Sequence, residues 1–375
     1  MLIKAMRIGV VGPIWLNIPP RGYGGTEDVV YNLVNNLSQR GHSVTLFGPK
    51  TSRVKAKLHP TVDFALRDKN IDWSNISYSL IHITEAFDRA DQFDILHVHL
   101  NKAQDNIALP LALNSKTPVL FTLHFMLPNN SGPERKDRYA VLKKYSSLPF
   151  VSISNAQRKP IKLNYIATVY NGIDLKLFPF SNRKGTYLVW LGKVSPVKGT
   201  KDAILAAKKA GIKIYIMGTV DKGVPELLSY YENQVKPLID DKVIWLGEVS
   251  HAEKTSILSG AIAFLNPIHW EEPFGLVMVE SLAVGTPVIS YARGSAPELI
   301  KDGSTGFLVK NMGQMVKKIR EAQYLDRGAS RRSIEEKFTI EKMVDGYEEA
   351  YKHTIGNWKK FREKQKRQLK EDTVK

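Results

Sequence analysis

No cysteine occurs among the 375 residues, which excludes a disulfide framework, a thiolate zinc cluster and a cysteine nucleophile. That fits a reducing compartment, and a cytoplasmic location is the expectation. No stretch approaches the roughly 18 consecutive apolar residues of a membrane-spanning helix. The apolar opening "MLIKAMRIGVVGPIW" is broken by Gly12, Pro13 and Trp15 with no small-residue cleavage pattern after it, so it reads as a first strand and not as a secretory leader. Also missing are a His-Glu-x-x-His pair, a Gly-x-Ser-x-Gly elbow, a P-loop, the glycine spacing of the dinucleotide fingerprint and an Asp-x-Asp triplet for a nucleotide-bound divalent ion. Acidic residues are scarce: 37 Asp and Glu against 54 Lys and Arg leave a formal net charge of +17. Such an excess favours anionic partners: nucleotides, phosphorylated or acidic acceptors, anionic lipid or nucleic acid. From Tyr139 to Ile173 there is no acid at all, while Lys143, Lys144, Arg158, Lys159 and Lys162 are present and Tyr139, Tyr145 and Phe150 are interleaved. That composition suits a headgroup boundary and suggests peripheral contact with an anionic membrane. Residues 359–375, with eight basic and three acidic side chains, read as a solvated helical face or tail. No recognition helix or base-stacking pattern accompanies the charge, so nucleic acid is not an expected partner.

What is present is an alternation of short apolar runs with amphipathic segments, on a 43% hydrophobic composition long enough for about two to three domains. "MRIGVV" predicts a buried strand. "TEDVVYNLVNNLSQR" repeats Val30, Leu33, Val34 and Leu37 at helical spacing and stops at Gly41. "HSVTLFG", "FDILHVHL", "PVLFTLHF", "PFVSISN" and "IATVYNG" continue as strands rich in branched and aromatic residues. The pattern restarts with "TYLVWLG", the helix "TKDAILAAKKA" and "IKIYIMG", followed by "KVIWLG", "AIAFLNP" and "TPVISYA". Between the halves, "LKLFPFSNRKG" reads as a linker. The expected fold is α/β with two Rossmann-like doubly wound domains facing a central cleft: a first domain over 1–178, a second over 179–350, and a basic helix or tail over 351–375 that packs back on the first domain. Ligands in such sheets bind beyond the carboxyl ends of the strands.

Several segments put chemistry at those ends. In "PPRGYGGTEDVV", Gly22, Gly24 and Gly25 precede a helix with Thr26 as expected N-cap and Glu27 and Asp28 in its first turn; bare glycines let backbone approach a phosphate, and a tight loop is the equally good structural reading. "LGKVSPVKGTKDA" places Lys193 and Lys198 between a strand end and a helix starting near Gly199, spaced to straddle a diphosphate or simply to be solvated. "EEPFGLVMVE" sets Glu272 just before a helix opened by Pro273 and Gly275, and Glu280 in its second turn. A helical rise of about 1.5 Å per residue separates the two carboxylates by about 12 Å, too far to flank one glycosidic bond as in a hydrolase. Glu280 is the only charged residue between Glu272 and Arg293, so it needs a partner: a neighbouring cation, a backbone amide or a ligand hydroxyl. His124 ends the strand in "TLHF". His97 and His99 share one face of "ILHVHL", but no further ligand cluster accompanies them, and no metal site is expected.

Taken in order and at these separations, "GYGGTE", "NGID", "LGKVSPVKG", "EPFGLVMVESLAVGTPVI" and "GSAPELI" resemble family 4 of the retaining glycosyltransferases, with the two-domain GT-B architecture, over about residues 6–350. The resemblance implies transfer of a hexosyl unit from a nucleotide diphosphate sugar to an acceptor hydroxyl, with no metal and no cofactor beyond the donor itself. It places Glu272 on donor hexose hydroxyls beside backbone amides of Phe274, Gly275 and Leu276, and Glu280 on the ribose. It places Lys193 and Lys198 on the leaving diphosphate, Gly24 and Gly25 where the first domain closes over it, Val249 near the base, and His124 beside the sugar and acceptor. This sequence departs from the family in carrying Lys193 where Arg is frequent, exchanging a bidentate fork for a point charge. Glucose and mannose donors on uridine or guanosine diphosphate are all compatible. A nucleotide-sugar epimerase of the same architecture is the alternative reading.

Overall fold

The computed structural model describes residues 5–72, 74–127 and 136–373. Contacts divide the chain into two units, one running to Gly172 and resuming at Ile340, the other spanning Ile173–Thr339. The domain limits expected at 178 and 350 lie beyond these two points. "LKLFPFSNRKG" is held to the second unit: Arg331 donates to the Phe178 carbonyl at 2.7 Å and Arg327 to the Ser181 carbonyl at 2.9 Å.

In the first unit the chain runs β1 (Arg7–Val11), α1 (Gly25–Gln39), β2 (Ser43–Pro49), β3 (Lys57–Val62), α2 (Ser77–Asp88), β4 (Ile95–Leu100), α3 (Ala108–Ala112), β5 (Val119–Leu123), α4 (Lys136–Lys144), β6 (Pro149–Ser152) and β7 (Asn164–Thr168). The seven strands are parallel in the order β3-β2-β1-β4-β5-β6-β7. Unbroken apolar strands such as "VLFTL" are what a parallel sheet covered on both faces requires, and every residue of β4 and β5 is buried. Helix α1 buries Val29, Val30, Leu33, Val34 and Leu37 on one face. It begins earlier than expected: Gly24, not Thr26, is the N-cap, and no side chain caps the helix. Two adjacent glycines turn the backbone there without a capping hydroxyl, and Glu27 and Asp28 supply negative charge at the positive end of the helix dipole. Tyr139 and Tyr145 pack against the first unit's core and Phe150 is fully buried, so these aromatics serve the core and not a headgroup boundary.

The second unit is built from β8 (Tyr187–Lys193), α5 (Thr200–Ala210), β9 (Ile214–Thr219), α6 (Pro225–Tyr230), β10 (Val243–Gly247), α7 (His251–Ser259), β11 (Ala261–Asn266), α8 (Leu276–Ala283), β12 (Val288–Tyr291), α9 (Ala296–Leu299), β13 (Gly306–Val309), α10 (Met312–Ala322) and α11 (Arg327–Lys337). Its six strands are parallel in the order β10-β9-β8-β11-β12-β13. Both sheets are doubly wound, with crossover helices joining parallel strands.

The chain then returns to the first unit as α12 (Ile340–Thr373), 34 residues long. Tyr347 and Tyr351 are fully buried, and Trp358 and Phe361 join the core of β4, β5 and β6. Burying an aromatic side chain of this size is worth about 1.5–3 kcal/mol. Glu348, 2% exposed, accepts from Arg40 at 2.9 Å and pairs with His42 at 3.0 Å, fastening α12 to α1 and β2. Among the described residues no helix is long and apolar enough to cross a membrane.

Candidate active site

In the second unit, β8 ends at Lys193 and the chain turns through Ser195, whose hydroxyl accepts from the Lys198 amide at 3.3 Å. Gly199 follows at φ +69; a Cβ there would lie 2.0 Å from the Pro267 carbonyl oxygen, so only glycine lets this loop close against the exit of β11. The two loops are joined by the His269 amide donating to the Val197 carbonyl at 2.8 Å. The β11 exit continues through Trp270 and Glu272 to Gly275, at φ +85, which opens α8. Behind it Gly294, at φ +52, lies against the Glu272 backbone so closely that a Cβ would approach to 2.4 Å. The Ser295 amide donates to the Glu272 carbonyl at 3.0 Å. Glu272 is thus set by backbone contacts on both sides.

These constraints bring together residues 74 positions apart: the Lys198 ammonium is ion-paired with Glu272 Oε2. Trp270 Nε1 donates to the same oxygen at 3.1 Å, and the Lys198 ammonium lies 4.7 Å from the centre of the Trp270 ring. With side chains 20% and 12% exposed, the pair is shielded enough that each charge needs the other. Phe274, Gly275 and Leu276 form the entry to α8, whose N-terminal amides carry the helix's positive end. Lys193 stands apart from this pair and is held at 2.6 Å by Asp221, in the loop after β9. Glu280, in the second turn of α8, accepts at Oε1 from Lys254 of α7 at 2.9 Å. Among the described residues no hydrogen bond reaches its Oε2. The Lys254 ammonium also lies 5.5 Å from the Phe178 ring centre. Val249 occupies the short loop between β10 and α7, next to the Ser250 N-cap.

In the first unit, Gly24 and Gly25 form the entry to α1, and a Cβ on Gly24 would approach Pro20 to 2.7 Å. His124 follows β5 and its Nε2 lies 2.7 Å from His99 Nδ1, the two rings stacked at 5.0 Å. His97, two residues earlier on β4, bonds Tyr351 of α12 at 2.9 Å and Thr122 at 2.8 Å. Burial pushes His124 down to about 3 and holds His97 and His99 well below the usual imidazole range, so all three are neutral at pH 7. His99 Nε2 is buried without a hydrogen-bond partner. An orphaned N–H is the costlier choice, so the proton sits on Nδ1 and donates to His124 Nε2. His124 then carries its own proton on Nδ1, where no hydrogen bond among the described residues engages it. Glu27, buried in the first turn of α1, is raised above the usual carboxylate range by that burial.

Sequence reading located Lys193, Lys198, Glu272, Glu280 and His124 but gave no sign of Asp221, Lys254, Trp270 or the His99 contact. The Asp221, Lys254 and His99 contacts join different elements 25 to 28 residues apart, about which sequence spacing carries no information, and Trp270, two residues from Glu272, carries no motif of its own.

Two family models match the chain: "Glycosyltransferase Family 4" over residues 23–177 and "Glycosyl transferases group 1" over residues 177–337. Among curated proteins, N-acetyl-alpha-D-glucosaminyl L-malate synthase of Bacillus anthracis is 24% identical, with 88% of this chain and 93% of the relative covered. D-inositol 3-phosphate glycosyltransferase of Mycolicibacterium smegmatis is 26% identical, with 90% and 88% covered. Among solved structures, sucrose-phosphate synthase of Thermosynechococcus elongatus superposes with a TM-score of 0.75 at 19% identity, covering 92% of this chain and 98% of that one. Anabaena HepE, in complex with UDP and glucose, gives 0.69 at 16% identity, covering 93% and 100%.

Proposed function

The chain belongs to the group 1, family 4 glycosyltransferases of GT-B fold, and from that premise we propose a retaining, metal-independent transfer of a hexosyl unit from a nucleotide diphosphate sugar to an acceptor hydroxyl. The observation that carries this reading is the Lys198–Glu272 pair beside the N-terminus of α8. Without donor, each charge satisfies the other. An arriving diphosphate takes Lys198 as its counterion, and Glu272 is released to accept from hexose hydroxyls next to the amides of Phe274, Gly275 and Leu276. Lys193, anchored by Asp221, supplies a second cation to the same diphosphate. Lys254 orients Glu280 and leaves Oε2 for the two ribose hydroxyls, and the backbone at Val249 meets the base. The first unit offers two further groups: the bare backbone at Gly24 and Gly25, suited to a phosphate, and the Nδ1 proton of His124, suited to a sugar hydroxyl.

As the sugar–phosphate bond breaks, negative charge grows on the leaving diphosphate. Two lysines and a helix N-terminus stabilise it without a divalent ion. The leaving phosphate oxygen then accepts the acceptor's proton on the face from which the acceptor attacks, which retains configuration and calls for no protein nucleophile. The names of the relatives support a sugar-transfer reading, and the complex of Anabaena HepE with UDP and glucose supports a uridine nucleotide as the first donor to try.

The deciding measurement is turnover of Lys198→Ala with the best-binding nucleotide sugar. Loss of one charged donor to a developing anion is expected to lower kcat about 100- to 1,000-fold. Product of retained anomeric configuration and activity undiminished by EDTA are the companion expectations. Near-normal turnover of the variant, or inversion at the anomeric carbon, overturns the proposal.

A further inference from the structure

The loops leaving β1 and β2 enclose a cavity of about 500 Å³ lined by Asn17, Pro19, Pro20, Arg21, Lys50, Thr51, Ser52 and Arg53. Its size falls in the range of small-molecule sites, and it opens at the carboxyl ends of two parallel strands, where open α/β sheets bind ligands. The walls are fixed by hydrogen bonds between the loops. Ser52 Oγ accepts from the Ile18 amide at 3.0 Å, the Arg53 amide donates to the Ile18 carbonyl at 2.8 Å, and Thr51 Oγ1 donates to Asn17 Oδ1 at 2.5 Å. Asn17 and Ser52 are buried, each 6% exposed. Gly24 allows the loop to fold back onto Pro20, which carries Arg21 into the wall.

Arg21, Lys50 and Arg53 are all exposed, and among the described residues none is paired with a carboxylate. No acidic side chain lines the cavity. Among the described residues the one carboxylate bonded to the lining, Asp68, accepts from Asn17 Nδ2 at 3.2 Å. Elsewhere this protein balances the cations of its candidate site with Asp221, Glu272 and Glu280. Three unbalanced cations on a rigid concave wall repel one another, an arrangement stabilised by a bound anion. We infer that this cavity is an acceptor subsite for a polyol or sugar bearing a phosphate or carboxylate group, with Arg21, Lys50 and Arg53 gripping the anion. The inference rests on the transferase reading and adds to it the chemical class of the acceptor. Strand order also sets a length: β1 and β2, whose loops form the cavity, lie two and three strands from β5, roughly 10–14 Å. The reacting hydroxyl, brought beside His124, is therefore separated from the anionic group by about that distance.

Calorimetric titration of the full chain with glycerol 3-phosphate, glycerate and glycerol separates phosphate, carboxylate and neutral versions of one small polyol. Wild type is expected to bind at least one of the anions about tenfold or more tighter than glycerol, with affinity falling as salt rises. The triple variant Arg21→Gln, Lys50→Gln, Arg53→Gln, changed only at exposed positions, is expected to keep its melting temperature and UDP-glucose affinity while losing that preference. Lys193→Gln with Lys198→Gln is expected to keep it. Undiminished anion binding by the triple variant overturns the inference, as does loss of all anion binding in the Lys193, Lys198 variant, because the anion would then occupy only the donor site. A protein that binds glycerol 3-phosphate through the cavity but gives no heat with UDP-glucose overturns the donor reading and leaves the anion site standing.

Discussion

Glu280 illustrates how a single carboxylate divides its work. Lys254 holds one oxygen, which offsets the cost of burying a charge, and the donor reading proposed above gives the other oxygen to the ribose. Replacing Glu280 by Gln keeps the shape but weakens both interactions. On that reading the expected result is a donor KM raised about tenfold with kcat changed less, because a ribose contact would be the same in ground and transition states; initial-rate kinetics over donor concentration checks it. Buried histidines set a second expectation. His82 accepts from Thr61 at 2.6 Å and donates to the Gly12 carbonyl at 2.9 Å, and burial pushes it down to about 4. Its folded value lies below the unfolded value near 6.5, so only the unfolded chain takes up this proton between those pH values. Stability is therefore lost as pH falls from about 6.5 toward 4, and His97, His99 and His124 add in the same direction. Melting temperature followed across pH 7 to 4 should fall, and the fall should be shallower in His82→Asn. These pairings were beyond the sequence. The spacing of Glu272 and Glu280 predicted a loop running into a helix, but Lys198 meets Glu272 only because glycines at 199 and 294 let loops approach at distances no side chain tolerates.

Elements with strong periodicity were legible, and those that break a rule were not. The α1 pattern and the apolar cores of β4 and β5 read directly from "VVYNLV", "ILHVHL" and "VLFTL". Strand β3 escaped because Pro60 and His59 interrupt it; it survives as an edge strand, where a missing amide hydrogen matters least. Helix α12 starts at Ile340, ahead of the basic helix or tail expected from residue 351, because Tyr347 and Tyr351 are buried as well as Trp358 and Phe361, which complete the first core. Glu348 is the critical polar anchor of that helix. Glu348→Ala leaves Arg40 with Asp345 alone among its carboxylates and removes the partner of His42 Nε2. The expected cost is about 3 kcal/mol, seen as a drop of about 6–12 °C in the first unit's melting, with donor affinity in the second unit unchanged.

On the scale of the whole molecule, the fold class and the two-unit division follow from the repeated alternation of strands and helices, whereas the unit boundaries depend on contacts such as those of Arg327 and Arg331 that no local pattern announces. Part of the basic excess lies where the end of α12 meets the end of α4: Gln365 donates to the Lys144 carbonyl at 2.7 Å and Gln368 to the Lys143 carbonyl at 3.2 Å, which joins the segments that carry exposed Lys143, Lys144, Lys366 and Arg367. With Phe150 buried and Tyr139 and Tyr145 packed against the core, the membrane contact proposed for these cations is electrostatic. The protein is expected to co-float with phosphatidylserine vesicles at about 50 mM salt and to be released at about 500 mM; flotation that fails at low salt rejects membrane contact. The return of α12 has one more outcome, during synthesis. A ribosome delivers the second unit whole before it has made Trp358 or Phe361, so the earlier-born half must wait on the nascent chain with an open hydrophobic seam. Translation pauses or chaperone shortage should therefore injure that half first, although it is the older of the two.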